Sequence, residues 1–193
     1  MSRAFLANGE AAPVTYLQIE PNTIVRTKTV EKDGYNAVVL GVGPKKWKTR
    51  KGKEQTRYRV QKEWQVESLD GYEAGKALTA EVLPVESLVT VQGVSKGKGF
   101  QGVVRRHGFA GGPATHGSHM KREPGSVGMR AWPGHIFKGH RMAGHMGNEN
   151  MTLHNRPILV CDIEKGIIAI KGPVPGPAGS HLYITLESSP KAE

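Results

Sequence analysis

The chain has 193 residues, 37% of them hydrophobic and 6% aromatic, with 25 glycines, so a modest core is expected and a fully compact enzyme core is not. Lys and Arg total 27 against 17 Asp and Glu, a formal net charge of +10, which points to polyanionic partners, nucleic acid or an acidic membrane surface. A lone cysteine, Cys161, excludes a disulfide framework and a cysteine-based zinc finger, and no apolar run approaches the roughly 20 residues of a membrane span.

The start, Met1 to Leu6, is too short and too soon polar for a signal peptide, so a soluble cytoplasmic protein is expected. Val14–Ile19, a turn at Glu20-Pro21-Asn22 and Thr23–Thr29 read as strand, turn, strand. A second turn at Glu31-Lys32-Asp33-Gly34 precedes the β-rich Tyr35–Leu40. Leu78–Leu83 and Leu88–Val94 are further runs separated by Pro84, and Ile158–Ile163, Ile167–Ile170 and His181–Leu186 follow late in the chain. Short strands between turn signals predict a mainly β fold, a barrel or sandwich. No segment has the pattern of a long amphipathic helix.

The charge is concentrated. Residues 45–59 hold eight basic and one acidic residue, and residues 95–147 hold nine basic and one acidic. Residues 60–94 hold two basic and six acidic, so the excess belongs to two blocks, which suits contact sites better than general solubility. The 95–147 block also contains 13 of the 25 glycines and six of the eight histidines. Beyond Phe100–Val104 it shows no sustained period, and so much glycine leaves it dependent on something else for its order. The expected organisation is a discontinuous β domain, 1–94 and 148–193, with 95–147 inserted as a basic extension.

Within the extension, Ser95-Lys96-Gly97-Lys98-Gly99 combines glycines that let backbone approach phosphates with Lys96 and Lys98 to neutralise them. Its spacing is not that of a Walker loop; the bland alternative, a flexible hinge, is compatible with phosphate contact. Arg105, Arg106 and His107 stand beside Phe109, a pairing of charge and ring suited to irregular RNA. Lys121, Arg122, Arg130, Lys138 and Arg141 supply the remaining cations. The earlier block, Lys45, Lys46, Lys48, Arg50 and Lys51 around Trp47, reads as a second RNA contact or a solvated loop.

His135, His140 and His145 recur at five-residue steps, with His116 and His119 nearby. A metal-dependent RNA-processing enzyme is the alternative these histidines raise. Five-residue steps match no zinc-binding helix, and Glu123 is the only acid in the block; hydrogen bonding or stacking of His116, His135, His140 and His145 on RNA fits better. Cys161 sits in the apolar run Leu159-Val160-Cys161, the usual place of a buried inert thiol, and no triad spacing occurs. No cofactor, no small-molecule substrate and no membrane are expected.

Val94–Gly102, Arg106-His107-Gly108-Phe109, Gly112–Ser118, Pro124–Gly128 and Phe137–Asn148 together resemble the bacterial large-subunit ribosomal protein L3 family. Weaker likeness runs through Asp33-Gly34-Tyr35, Gly71-Tyr72-Glu73 and Lys171–Gly176. The resemblance implies a six-stranded, translation-factor-like β-barrel on the subunit surface. It also implies an extension that penetrates ribosomal RNA toward the peptidyl transferase centre. It further implies binding near the 3′ end of 23S ribosomal RNA early in assembly, and contact with neighbouring large-subunit ribosomal proteins. Trp132 then falls at the extension's tip, where stacking on a base is expected and folding back onto Met129 or Ile136 is the alternative. Three departures from the family pattern stand out. The glycine- and lysine-bearing strand with which the family usually opens is expected before Met1-Ser2-Arg3, so either the start is misassigned or that strand is truncated. Residues 45–64 are more basic than is common in the family, and Ala131 stands where some bacterial members carry a methylated glutamine, so that modification is expected to be absent.

Overall fold

The computed structural model describes residues 1–6, 9–50, 52–78 and 83–188, and it is mainly β. Strands β1 (Ser2–Phe5), β2 (Ala11–Gln18) and β3 (Asn22–Lys28) precede the one-turn helix α1 (Val30–Asp33). Then come β4 (Ala37–Lys48), β5 (Glu54–Gln65), β6 (Ala77–Leu78), β7 (Leu88–Val94) and β8 (Gly99–Gln101). Helix α2 (Val103–His107) is followed by β9 (Gly144–Met146), β10 (Asn150–Asp162), β11 (Ile167–Lys171) and β12 (Leu182–Ser188). Among the described residues these pair as three sheets, ordered β1-β2-β11-β10-β7-β12, β5-β4-β3-β6 and β8-β9, and no pairing closes them into one ring. By contacts the chain divides into two units: Met1–Val89, Asn155–Pro173 and from Leu186 on; and Thr90–His154 with Val174–Thr185.

In the first unit, β2 buries Ala12 and Val14 on alternate positions, as a half-buried strand should. Its neighbour β11 buries Ile168, Ala169 and Ile170 in succession, the signature of a strand covered on both faces. Gly172 N–H donates to Pro13 O at 2.8 Å and Thr15 Oγ1 donates to Gly172 O at 2.7 Å, extending that pairing past the strand end. The β10–β11 register shifts between Ile158 and Val160, beside Pro157, whose missing N–H cannot serve a regular ladder. At their turn, the Lys165 backbone N–H and ammonium both reach the Asp162 carboxylate, at 3.1 and 3.3 Å, and hold its pKa below the ordinary 3.8. Buried Ser87 is satisfied: its hydroxyl donates to Pro84 O at 2.6 Å, and its carbonyl accepts Ile158 N–H at 3.1 Å.

The expected run at Tyr35–Leu40 is the opening of a longer strand. β4 continues through Lys45, Lys46 and Lys48 and pairs with β5 from Ala37↔Gln65 to Lys48↔Glu54. The basic block is therefore the outer half of a hairpin, closed by Thr49 N–H donating to Lys53 O at 2.9 Å. The expected turn at 31–34 is α1 with Gly34 in the left-handed region, φ 85°. In the run Leu78–Leu83, residues 79–82 fall outside the described residues; of the two that are described, Leu78 lies in a strand and Leu83 does not. Cys161 is half-buried rather than fully enclosed.

A polar trio joins β3 to β5. Lys28 Nζ donates to Tyr35 Oη at 2.7 Å, Tyr35 donates to Glu63 Oε1 at 2.5 Å, and Lys28 Nζ lies 2.6 Å from Glu63 Oε2. The hydrogen bond between Lys28 and Glu63, then those from Tyr35, hold the Glu63 carboxyl below the ordinary 4.5 and the Lys28 ammonium above 10.5. Glu63 thus adds stability that is complete above 4.5 and lost as pH falls through its lowered value. Lys28 adds stability that is complete below 10.5 and lost as pH rises through its raised value. Glu63→Gln is expected to shrink the acid-side fall in melting temperature, measured by circular dichroism from about pH 3 to 7; an unchanged profile would show that the trio carries none of it.

Candidate nucleic-acid interface

In the second unit, residues 95–147 begin and end at one hydrogen-bonded neck. Ser95 N–H donates to Glu149 O at 2.9 Å, Asn148 N–H to Ser95 O at 3.2 Å, and Glu149 N–H to Ser95 Oγ at 3.2 Å. Gly147, at φ 77°, lies against the Lys96 carbonyl so closely that a Cβ would collide with it, so backbone conformation and space both demand glycine. Beyond the neck, β8 and β9 pair from Gly99↔Met146 to Gln101↔Gly144, and Lys98 N–H donates to Met146 O at 2.9 Å.

Helix α2 follows, anchored by buried Val103 and stopped by Gly108 at φ 73°. From this helix Arg106 Nη1 donates to Met142 O at 2.8 Å, and His107 Nε2 donates to the same oxygen at 3.0 Å. The His107 and Phe109 rings lie 6.1 Å apart. Farther out, Gly112 N–H donates to Met120 O at 3.1 Å, folding residues 112–120 back on themselves with His116 at φ 55° on the loop. His135 Nδ1 donates to Pro133 O at 3.0 Å, and its ring meets Phe137 edge-on at 5.5 Å.

The remaining sequence-predicted residues of this segment are exposed: Lys96, Lys98, Arg105, His116, Lys121, Arg122, Arg130, Trp132, His135, Lys138, His140, Arg141 and His145. Arg106 and His107 are half-buried. None of the segment's nine Lys and Arg side chains forms an ion pair with an acid among the described residues. Nor do any three of the His, Cys, Asp and Glu residues gather there as a metal-holding group. Trp132 is 84% exposed, more than Met129 at 72% and Ile136 at 42%, so it does not fold back onto them.

The first unit presents the other basic surface at the end of the β4–β5 hairpin. Lys45, Lys46, Lys48 and Arg50 are exposed there, and Lys51 lies outside the described residues. The Arg57 guanidinium sits over the Trp47 ring, 4.1 Å from its centroid. A concave face of about 830 Å³ is lined by Pro44, Lys45, Trp47, Arg57, Tyr58 and Arg59 among others. Tyr58 reaches across the hairpin because position 41 is glycine: a Cβ there would stand 2.5 Å from its ring. Lys48 pairs with Glu54 at 3.4 Å, both well exposed, a contact that contributes little.

A family model described as Ribosomal protein L3 matches residues 68–171. The Large ribosomal subunit protein uL3 of Alkaliphilus metalliredigens is 42% identical over 192 residues, 95% of this chain and 91% of that protein. The protein of the same name from Heliobacterium modesticaldum is 43% identical over 202 residues, 100% of this chain and 94% of that one. The chain belongs to the ribosomal protein L3 family. That family match takes in the whole of 95–147, so it spans the neck, α2 and the exposed cations together.

For this L3 chain, sequence reasoning counted Arg57 and Arg59 in the basic block 45–59 without naming them as contacts, and they share the hairpin surface with Lys45 and Trp47. The signal was present: Tyr58, Val60 and Trp64 fall on alternate positions of β5, which puts Arg57 and Arg59 on the opposite, exposed face. Trp132→Ala is expected to leave the melting temperature within about 1 °C of wild type, because an exposed ring supports little packing. It is expected to weaken RNA binding by the roughly 1–3 kcal/mol of a lost stack. Calorimetry and filter binding check the two halves, and a large drop in melting temperature would place Trp132 in a core instead.

Proposed function

We propose that this chain is a structural constituent of the large ribosomal subunit that binds 23S ribosomal RNA near its 3′ end and helps nucleate assembly. As a member of the L3 family it is a ribosomal protein rather than an enzyme, with the ribosome in the cytoplasm as its place of work. In this reading residues 1–94 and 148–193 form the β domain that docks on the subunit. Residues 95–147 form the extension that runs into RNA toward the peptidyl transferase centre, and neighbouring large-subunit proteins are its other partners.

The observation that carries the reading is charge without counter-charge. Nine cations on a glycine-rich segment lack acidic partners among the described residues. Phosphates can satisfy such charges, and each one neutralised releases condensed counterions. The glycines add a second requirement of RNA contact, since backbone without side chains can approach phosphate and sugar closely. Exposed Trp132 and Phe137 supply rings for unpaired bases. The hairpin cations Lys45, Lys46, Lys48, Arg50 and Lys51 form a second contact, joined by Arg57 and Arg59.

If about six of the cations in 95–147 meet phosphates, the log–log salt dependence of affinity should have a slope of about −4 to −5. The measurement is titration of the full chain with a transcript of the 3′ domain of 23S ribosomal RNA at several salt concentrations. A slope near zero, or failure to co-sediment with large subunits at moderate salt, would contradict the proposal.

A further inference from the structure

We infer that Arg106 and His107 are positioning residues: they latch the returning limb of 95–147 to helix α2, and Gly144 is the notch in which the latch closes. This deepens the RNA-binding reading and rests on it for its consequence, though not for its geometry. Adjacent residues of one helix aim two donors at a single carbonyl, Met142 O, at 2.8 and 3.0 Å. A carbonyl oxygen has two lone pairs and can accept both. The contacts close spans of 36 and 35 residues, in a segment with too little apolar surface to hold itself by packing.

The glycine completes the device. A Cβ at Gly144 would stand 2.6 Å from Arg106 Nη1 and 3.3 Å from its Cζ. Gly144 is absent from the positive-φ glycines, so an alanine backbone fits there and only the guanidinium stands in its way. Glycine at this position makes room for a partner rather than for a turn. The latched carbonyl sits beside Arg141 and close to His145, both exposed, while exposed Arg105 precedes the latch on α2. Fixing Met142 therefore holds cations of both limbs in register before RNA arrives, so less ordering is left for the binding step. Arg106, half-buried, commits one guanidinium N–H to a protein carbonyl, while Lys138 and Arg141 are exposed.

The test uses the full chain, the 3′-domain transcript of 23S ribosomal RNA, and three variants. Arg106→Met removes the donor and its charge. Gly144→Ala keeps every charge and fills the notch. His107→Gln keeps an N–H donor. Arg106→Met and Gly144→Ala are both expected to weaken binding by about tenfold or more, with the salt slope of the wild type retained. His107→Gln is read by amide exchange alone, because the His107 ring is also among the residues expected to meet RNA. In the free protein, amide exchange of residues 144–146 should accelerate in the first two variants and not in the third. If Arg106→Met flattens the slope by about 0.7–0.9 while Gly144→Ala binds like wild type, Arg106 is a phosphate contact and the latch is overturned. Wild-type exchange in both variants overturns it as well. A wild-type slope near zero would sink the RNA reading alone, because exchange still reports the latch.

Discussion

Like-charge repulsion within residues 95–147 is the constraint around which the second unit is built. Nine cations and a single acid share 53 residues that are one-quarter glycine, so neither ion pairs nor a core can hold them. Two exposed unit charges 4 Å apart interact by only about 1 kcal/mol in water, yet the effect accumulates over nine cations against one acid. What order there is comes from the backbone. Ser95 ties to Asn148 and Glu149 at the neck, β8 pairs with β9, and Gly112 closes on Met120. Ser95 Oγ and His135 add hydrogen bonds of their own, and the two side chains of α2 that reach the returning limb, Arg106 and His107, are donors serving a carbonyl rather than cations seeking carboxylates. Charge is thereby left outward for a polyanion.

The first unit solves the opposite problem. Its core is a compact set of Ile, Val and Ala on β2, β3, β4, β10 and β11, conventional in composition, and its basic residues are carried out along a hairpin. Charge is tolerated on β4 and β5 because the distal strand positions are exposed on both faces, so no cation need be desolvated. Where a lysine does come inward, at Lys28, it meets Glu63 and Tyr35 together. At Lys62, which stacks on Trp64 at 4.7 Å, partial burial lowers the ammonium pKa.

Most strands were legible because turn residues punctuate them. Glu20 and Pro21 fall between β2 and β3, where Asn22 opens the second strand, and Glu164-Lys165-Gly166 falls between β10 and β11. The hairpin was not, since lysines at 45, 46 and 48 look like a solvated run unless the facing strand is already in view. In the extension, the location and sign of the charge were readable from counts alone. The roles of individual residues were not: Arg105 and Arg106 are adjacent and chemically identical, yet exposed Arg105 donates locally to Gln101 Oε1 at 3.3 Å and Arg106 reaches Met142 O across 36 residues. Only a tertiary contact distinguishes them. Gly144 and Gly147 are likewise alike in sequence and different in cause, one making room for a guanidinium and the other combining a left-handed backbone with contact against a carbonyl.

Strand β5 is the outer strand of its sheet, twelve residues long, with one row of backbone groups that no strand of that sheet covers. An edge of that length invites pairing with a second copy, and charged side chains are the common natural safeguard. Arg57, Arg59, Lys62, Glu54 and Glu63 stand along it. On the proposed reading, the charges offered to phosphate are also the ones that guard this edge against pairing with a second copy. A variant that neutralises Arg57 and Arg59 together would then touch both, so loss of soluble protein, seen as sedimenting material without RNA, has to be scored separately from loss of affinity.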